Sequence, residues 1–79
     1  MHITVKLFGT LGKRVPGYVH SEGIVIEIPD NGKVKDILSA LNIPESQGIA
    51  VAVEGRILNQ DDKLYDEAHV NVMQSLHGG

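Results

Sequence analysis

The two glycines that end the sequence suggest chemistry more directly than any other residues in it. Gly78-Gly79 close the 79-residue chain, so the sequence predicts a carboxylate on a residue that has no side chain. Glycine adopts extended and positive-φ conformations without steric cost, so a di-glycine end fits a narrow channel in another protein. From Ser75 to Gly79 an extended chain reaches about 17 Å. Adenylation by ATP would turn the Gly79 carboxylate into an acyl donor for a sulfur or nitrogen nucleophile.

Other reactive groups are scarce. The chain has no cysteine, which excludes a disulfide scaffold, a thiolate-held metal or iron–sulfur site, and cysteine catalysis. It also lacks the G-x-x-x-x-G-K-[ST] phosphate loop, so any ATP would be bound by a partner. A di-glycine end is nevertheless a short motif, and a simple frayed terminus is the alternative.

Histidines and acidic residues do not form a recognisable site. The four histidines lack metal-ligand spacing such as H-x-x-x-H, so no metal site is expected. They are His2, His20, His69 and His77. We expect surface or partner-contact roles, with His2 and His69 on the same sheet face and His77 beside the tail. The acidic cluster around Asp61 and Asp66 lacks a calcium-loop pattern, and so small a domain has no room for a hydrolytic cleft.

Charge and hydropathy narrow the class of partner. Seven Lys and Arg against ten Asp and Glu give a net charge of −3, whereas nucleic-acid binders normally carry a basic surplus. No apolar run approaches the ~20 residues that span a membrane. We therefore expect a soluble cytoplasmic protein that binds neither nucleic acid nor membrane.

Two strands are predicted near the start of the chain. Apolar residues recur at every second position in residues 3–7 and again in 24–28, which is the period of a strand with one buried face. The segment from Gly9 to Glu22 holds three glycines and a proline, so it is predicted to be a long loop and not a helix. The two strands should pair as an antiparallel hairpin.

One short helix follows. Val34, Ile37, Leu38 and Leu41 are spaced as one apolar stripe of a helix. Lys33 stands where a capping Ser, Thr or Asp is preferred, so the N-terminal cap is expected to be weak. The helix is expected to end at Asn42-Ile43-Pro44, because the residue before a proline avoids the helical region.

The rest of the chain completes an α+β domain. Residues 49–53 predict a buried strand, 54–56 a tight turn, and 57–58 a short edge strand. Residues 61–66 predict a turn with brief helical character, and the alternation around Val70 and Val72 predicts a last strand. The order predicts a domain over 1–74 and a flexible tail over 75–79. The first and last strands should be parallel neighbours at the centre of a five-stranded mixed sheet.

Four residues are candidates for contact with a partner. Phe8, Met73 and Leu76 would form an exposed apolar patch near the root of the tail, the kind of surface that marks an interface. The alternative is that Phe8 covers the edge of the core. Arg56 would contact an acidic partner or simply remain solvated.

The chain resembles the MoaD/ThiS family of ubiquitin-like sulfur carriers over nearly its whole length. The resemblance is carried by the order and spacing of several short segments. These are Val5-Lys6-Leu7-Phe8, Val34-Lys35-Asp36-Ile37-Leu38, Leu41-Asn42-Ile43-Pro44, Val51-Ala52-Val53-Glu54-Gly55-Arg56, Leu64-Tyr65-Asp66, Val70-Asn71-Val72 and Gly78-Gly79. Glu67-Ala68 depart from the Gly-Asp often found there, Gly9 replaces a common alanine, and the 9–22 loop lacks the short helix usual in the molybdopterin branch.

The resemblance implies a β-grasp fold and a carrier role without catalysis or bound cofactor. Gly79 would be adenylated by a ubiquitin-activating-type enzyme that uses ATP. Sulfur from a sulfurtransferase or cysteine desulfurase would then make the thiocarboxylate, and Gly78 would let the tail pass. The sulfur would serve molybdopterin or tungsten-pterin synthesis, with the large subunit of a cofactor synthase as partner. The alternatives are thiamine-thiazole synthesis, protein modification through lysine, and an inert β-grasp interaction module.

Overall fold

Five strands form one mixed sheet in the computed structural model, which describes residues 1–44 and 48–74. The strands are β1 (His2–Leu7), β2 (Ile24–Glu27), β3 (Ile49–Val53), β4 (Arg56–Leu58) and β5 (His69–Gln74). Their order across the sheet is β2-β1-β5-β3-β4. β1 and β5 are parallel and the other three pairs are antiparallel. This confirms the predicted β-grasp sheet, with the first and last strands together at its centre.

The core lies between one face of this sheet and the helix α1 (Val34–Ala40). Alternate residues of the two central strands, such as Val5 and Val72, are fully buried, as are Val34 and Ile37 of the helix. Full burial of such a side chain contributes about 1.5–3 kcal/mol. A seven-residue helix is unstable alone in water, so this packing is what holds it.

The two ends of α1 use contacts that the sequence analysis missed. At the start, the Lys33 backbone N–H donates to Asp36 Oδ2 at 2.8 Å, which supplies part of the cap that the Lys33 side chain cannot. At the end, Asn42 has a left-handed φ of 57°. Ile43 N–H donates to Leu38 O and Asn42 N–H to Ser39 O, the bonding pattern of a Schellman cap. Asn42, rather than the proline that follows, therefore ends the helix.

Residues Gly9–Arg14 form a 3₁₀ helix, so the prediction of a loop from Gly9 to Glu22 was wrong for this part. The stated departure from the molybdopterin branch, the lack of a short helix here, was also wrong. The amide of Leu11 donates to Phe8 O and that of Val15 to Gly12 O. Leu11 is 1% exposed and belongs to the core. Burial of this one leucine outweighs the low helix propensity of the flanking glycines.

Residues 61–66 have turns at Asp61 and Asp66 and no helical character, which corrects that part of the prediction. Lys63 makes an isolated bridge with Lys33, and the Leu64 amide donates to Gly32 O at 3.0 Å. Leu64 is buried against the core, so the segment is held extended. The predicted tight turn after β3 is confirmed, with Glu54 and Gly55 at φ values of 52° and 81°. No helix within 1–44 or 48–74 has the length and apolarity to cross a membrane.

Replacing Asn42 tests the helix cap. We expect Asn42→Val to lower the free energy of unfolding by about 1–2 kcal/mol, because a β-branched residue is strained in the left-handed region. Asn42→Gly should change it by less than about 0.5 kcal/mol, because glycine is the residue most often found at this position. Urea denaturation followed by circular dichroism measures both. Equal losses in the two variants would contradict the assigned cap.

Candidate functional site

The strand that precedes the predicted tail, β5, lies inside the sheet. Gln74 is the last residue of β5, which pairs with β1 on one side and β3 on the other. Thr10 Oγ1 lies 2.9 Å from Gln74 Oε1, so the 3₁₀ helix is attached beside the point of exit. We call this end of the sheet, where β1 and β5 finish, the tail end. The predicted residues Leu76, His77, Gly78 and Gly79 lie outside the described part of the chain.

Phe8 and Met73 lie on the outer sheet face, which is the face opposite α1. The Phe8 amide donates to Val72 O at 3.0 Å, and β1 pairs with β5 through Leu7 and Val72. Phe8 is therefore level with Met73, which in turn is paired with Ala50. All three residues are partly exposed. We call Phe8, Met73 and Ala50 the outer apolar patch; it adjoins the tail end.

The position of Phe8 depends on a polar network that sequence reasoning missed. Pairing of β1 with β2 ends at Val5 and Ile24, so the backbone of Leu7 has no strand partner on that side. The Tyr18 hydroxyl accepts from Leu7 N–H at 2.6 Å and lies 3.2 Å from Leu7 O. His20 Nδ1 lies 3.2 Å from both that hydroxyl and Leu7 O. The loop thus supplies the bonds that a longer β2 would have made.

The same loop also packs against the Phe8 ring. The His20 ring meets it edge-on, with centroids 4.8 Å apart and planes at 79°. Edge-to-face aromatic pairs contribute about 0.5–1.5 kcal/mol beyond burial. Phe8 is therefore held by a local ring contact on the outer face and is not part of the buried core cluster. In the sequence, Tyr18 and His20 are simply two residues of a loop, and no known spacing pattern predicts that they would contact Leu7 and Phe8.

Arg56 is remote from this patch. It is the first residue of the edge strand β4 and pairs with Val53. Val53 in turn pairs with Val70 of β5, so Arg56 lies level with Val70. Gln74 lies four positions after Val70, about 13 Å along the strand. Arg56 is exposed, and the structure does not bring it together with Phe8 and Met73. Nearby, a hydrogen bond to Glu54 raises the pKa of the exposed Tyr65 hydroxyl above its ordinary value.

The opposite end of the sheet holds a cluster that the sequence did not reveal. One ligand-type atom from each of His2, Asp66 and Glu67 lies within 4.8 Å of the others. Asp66 Oδ1 accepts from the His2 amide at 2.8 Å, and the Glu67 amide donates to His2 O. His69 is two residues further along, paired with Thr4. All these side chains except Thr4 are exposed, and exposed acidic groups of this kind are common without a metal.

Comparison with known proteins decides the family. A family model described as the ThiS family matches residues 5–79. The chain belongs to the ThiS family. The match extends from the middle of β1 through Gly79, so it includes both the sheet and the di-glycine end. Glu67, one of the departures from the family pattern stated above, has a left-handed φ of 68° in this ThiS-family chain. A search of curated protein sequences finds no match.

Solved structures show the same fold. A provisionally assigned molybdopterin converting factor, subunit 1, from Pyrococcus furiosus is 21% identical, with a TM-score of 0.74 over 96% of this chain and 99% of that one. SAMP1 from Haloferax volcanii is 15% identical, with a TM-score of 0.71 over the whole of both chains. A second structure of this small archaeal modifier protein is 16% identical, with a TM-score of 0.73 over 95% and 98%. At these identities the likeness establishes the ubiquitin-like β-grasp fold of this ThiS-family protein.

Removing the Tyr18 hydroxyl tests the network that positions Phe8. We expect Tyr18→Phe to lower the free energy of unfolding by about 1–3 kcal/mol, because the partly buried backbone of Leu7 loses its partner. The matched control is Tyr65→Phe, whose exposed hydroxyl bonds Glu54 and whose loss should cost less than about 0.5 kcal/mol. Denaturant unfolding gives both values, and hydrogen exchange should accelerate at the Leu7 amide only in Tyr18→Phe. Unchanged exchange there would argue against this role.

Proposed function

We propose that this protein is a sulfur carrier whose Gly79 carboxylate is adenylated by a partner and converted to a thiocarboxylate. The observation that carries the proposal is the ThiS-family match, which runs through the terminal Gly78-Gly79. The fold supports it, because five residues follow the last described strand residue. Extended, they reach about 17 Å beyond the sheet. A folded domain with a narrow tail fits the delivery of one carboxylate into another protein's active site.

The chemistry needs only the carboxylate from this chain. A Gly79 oxygen attacks the α-phosphorus of ATP, pyrophosphate leaves, and an acyl adenylate results. A sulfur nucleophile at the oxidation level of hydrogen sulfide then attacks the acyl carbon and displaces AMP. The product is a thiocarboxylate on Gly79, with no net oxidation or reduction. Absence of cysteine from the sequence fits this scheme, because sulfur has no thiol site elsewhere on the chain.

The partners follow from these steps. A ubiquitin-activating-type enzyme would bind ATP, because the chain has no phosphate loop. A sulfurtransferase or cysteine desulfurase would supply the sulfur as a persulfide, from which a thiol releases hydrogen sulfide and is itself oxidised to a disulfide. The outer apolar patch would contact the activating enzyme while the tail enters its active site. On this proposal the protein is a co-substrate without catalytic residues or a bound cofactor. We expect it to act in the cytoplasm, where ATP is available.

We favour molybdopterin or tungsten-pterin synthesis as the destination of the sulfur. The support is the structural similarity to the molybdopterin converting factor subunit from Pyrococcus furiosus. The large subunit of a synthase would then receive the same tail. Thiamine-thiazole synthesis is the alternative destination within the sulfur-carrier role.

Protein modification is the second candidate function, favoured by the similarity to the small archaeal modifier SAMP1. The same acyl adenylate would be attacked by a lysine amine instead of a sulfur nucleophile, and Gly79 would end in an amide. A third hypothesis is an inert β-grasp interaction module. The family match, which extends through Gly79, argues against it.

Intact-protein mass spectrometry distinguishes these functions. We expect co-expression with the activating enzyme and sulfur donor from the same genome to replace one oxygen by sulfur at Gly79. Conjugates of higher mass would indicate modification instead. An unchanged mass beside partners shown to be active would contradict both functions. The unmodified mass also establishes that the mature chain ends at Gly79.

Deletion of Gly79 is the control. We expect it to abolish either product while thermal unfolding stays within about 1 °C of the parent, because surface changes outside packed regions shift stability little. Retained product in the deletion variant would exclude Gly79 as the reacting residue.

A substitution in the outer apolar patch tests the docking surface. We expect Met73→Ser to weaken binding of the activating enzyme about tenfold, as for an apolar contact at the centre of an interface. Val25→Ser is the matched control, since Val25 is 61% exposed on β2, well away from the exit of the tail. It should weaken binding less than twofold, by isothermal titration calorimetry. Equal losses in both variants would contradict the assigned surface.

A further inference from the structure

Positive charge gathers at the tail end of a protein that is negative overall. Lys13 and Arg14 occupy the last turn of the 3₁₀ helix and are exposed. Lys6 lies on the outer face, level with Asn71. Within residues 1–44 and 48–74, none of these three cations forms an ion pair. Glu22, at the end of the loop that follows the 3₁₀ helix, is an acidic residue near these cations.

Negative charge gathers at the other end of the sheet. Glu27, Asp66 and Glu67 surround His2 there, and Glu54 lies in the turn before β4. Asp30 also belongs to this end, where it faces the N-terminal amine at 3.4 Å. Arg56 is the cation next to Glu54. Acidic residues outnumber cations at this end, where Lys63, Arg56 and the N-terminal amine also lie. We call this end the negative pole, and the tail end, with its three cations outside any described ion pair, the positive pole.

The positive pole borders a hollow that is continuous with the outer apolar patch. The hollow lies between the 3₁₀ helix and the loop that follows, with a volume of about 740 Å³. Its lining includes Phe8, Lys13, Val15, Pro16, Tyr18 and His20. Because Phe8 lines both the hollow and the patch, a protein seated on the patch would also cover the hollow. Lys13 would then face that protein.

We propose that the tail end docks on an acidic surface of the adenylating enzyme, beside the channel that receives the tail. The inference rests on the proposed function and specifies the charge of the partner around its active-site entrance. Complementary charge raises the rate constant of association by a factor of about 10–10³ and orients the two proteins as they meet. Orientation is valuable here because only one end of the molecule carries the reacting carboxylate. The negative pole would be repelled from the same acidic rim, which disfavours the reversed encounter.

The test reverses two charges at the tail end and two elsewhere. Lys13→Glu/Arg14→Glu is compared with Lys35→Glu/Lys63→Glu, which makes the same change in net charge at exposed positions beside the N-terminal part of α1. Stopped-flow fluorescence measures association with the purified adenylating enzyme at about 20 mM and 500 mM salt. We expect the tail-end variant to associate about tenfold more slowly at low salt, with the difference shrinking at high salt as screening increases. The control should differ less than twofold.

Three results would overturn the inference. One is an equal slowing in both double variants, which would reflect net charge alone. Another is an unchanged rate in the tail-end variant. The third is tight, salt-sensitive binding of a labelled single-stranded RNA oligonucleotide that only the tail-end variant loses, which would assign the positive pole to nucleic acid.

Separate readouts distinguish this inference from the proposed function. ATP–pyrophosphate exchange on the wild-type chain reports whether Gly79 is adenylated at all. Exchange with equal association rates in every variant overturns only the acidic docking surface. A wild-type chain that neither binds the enzyme nor supports exchange overturns both. Thermal unfolding of each double variant checks that the fold is intact, and charge reversal at Lys13 alone provides a milder substitution if the pair is unstable.

Discussion

The parallel pairing of β1 with β5 at the centre of the sheet is the constraint on which the rest of the structure depends. It places the C-terminal strand between two neighbours, and β5 pairs with β1 from His69 to Val72 and with β3 from Val70 to Gln74. It also brings the last residues of both strands to the same end of the sheet, next to the 3₁₀ helix. A tail that follows a central strand can enter another protein while the domain stays folded, because β3 pairs with that strand as far as Gln74.

The same pairing explains where the remaining polar groups go. β2 is shorter than β1, so the last residues of β1 extend past their antiparallel partner. Tyr18 and His20 bond the Leu7 backbone groups that β2 does not reach, and the loop that carries them packs on Phe8. An unsatisfied backbone pair there would cost about 1–3 kcal/mol per group. The loop therefore has a structural role, and the aromatic residue beside the tail is positioned as a consequence of it.

Regular periodicity made most of the fold predictable, and single tertiary contacts account for the errors. Alternation in β1 and β5 and the apolar stripe of α1 indicated the sheet and helix correctly. The 3₁₀ helix was missed because burial of Leu11 overrides a glycine-rich segment, and the helix cap was missed because Asn42 adopts a left-handed conformation that no periodicity reports.

The cluster of His2 with Asp66 and Glu67 joins residues over sixty positions apart. Only the strand register brings them together. The placement of Phe8 beside Met73 follows from the same register, whereas the chemistry suggested for Gly79 came from the terminal sequence itself.

On the proposed function, the charge pattern also bears on how one small protein serves several enzymes. A carrier must reach its activating enzyme quickly and must also leave it for the next partner. Charges at the rim of an interface act mainly on the association rate, whereas affinity differences between related complexes lie mostly in dissociation. A positive pole beside a modest outer apolar patch thus gives fast, oriented encounters without a long residence time. A large hydrophobic interface would slow release, so the small apolar area around Phe8 suits a protein that moves between partners.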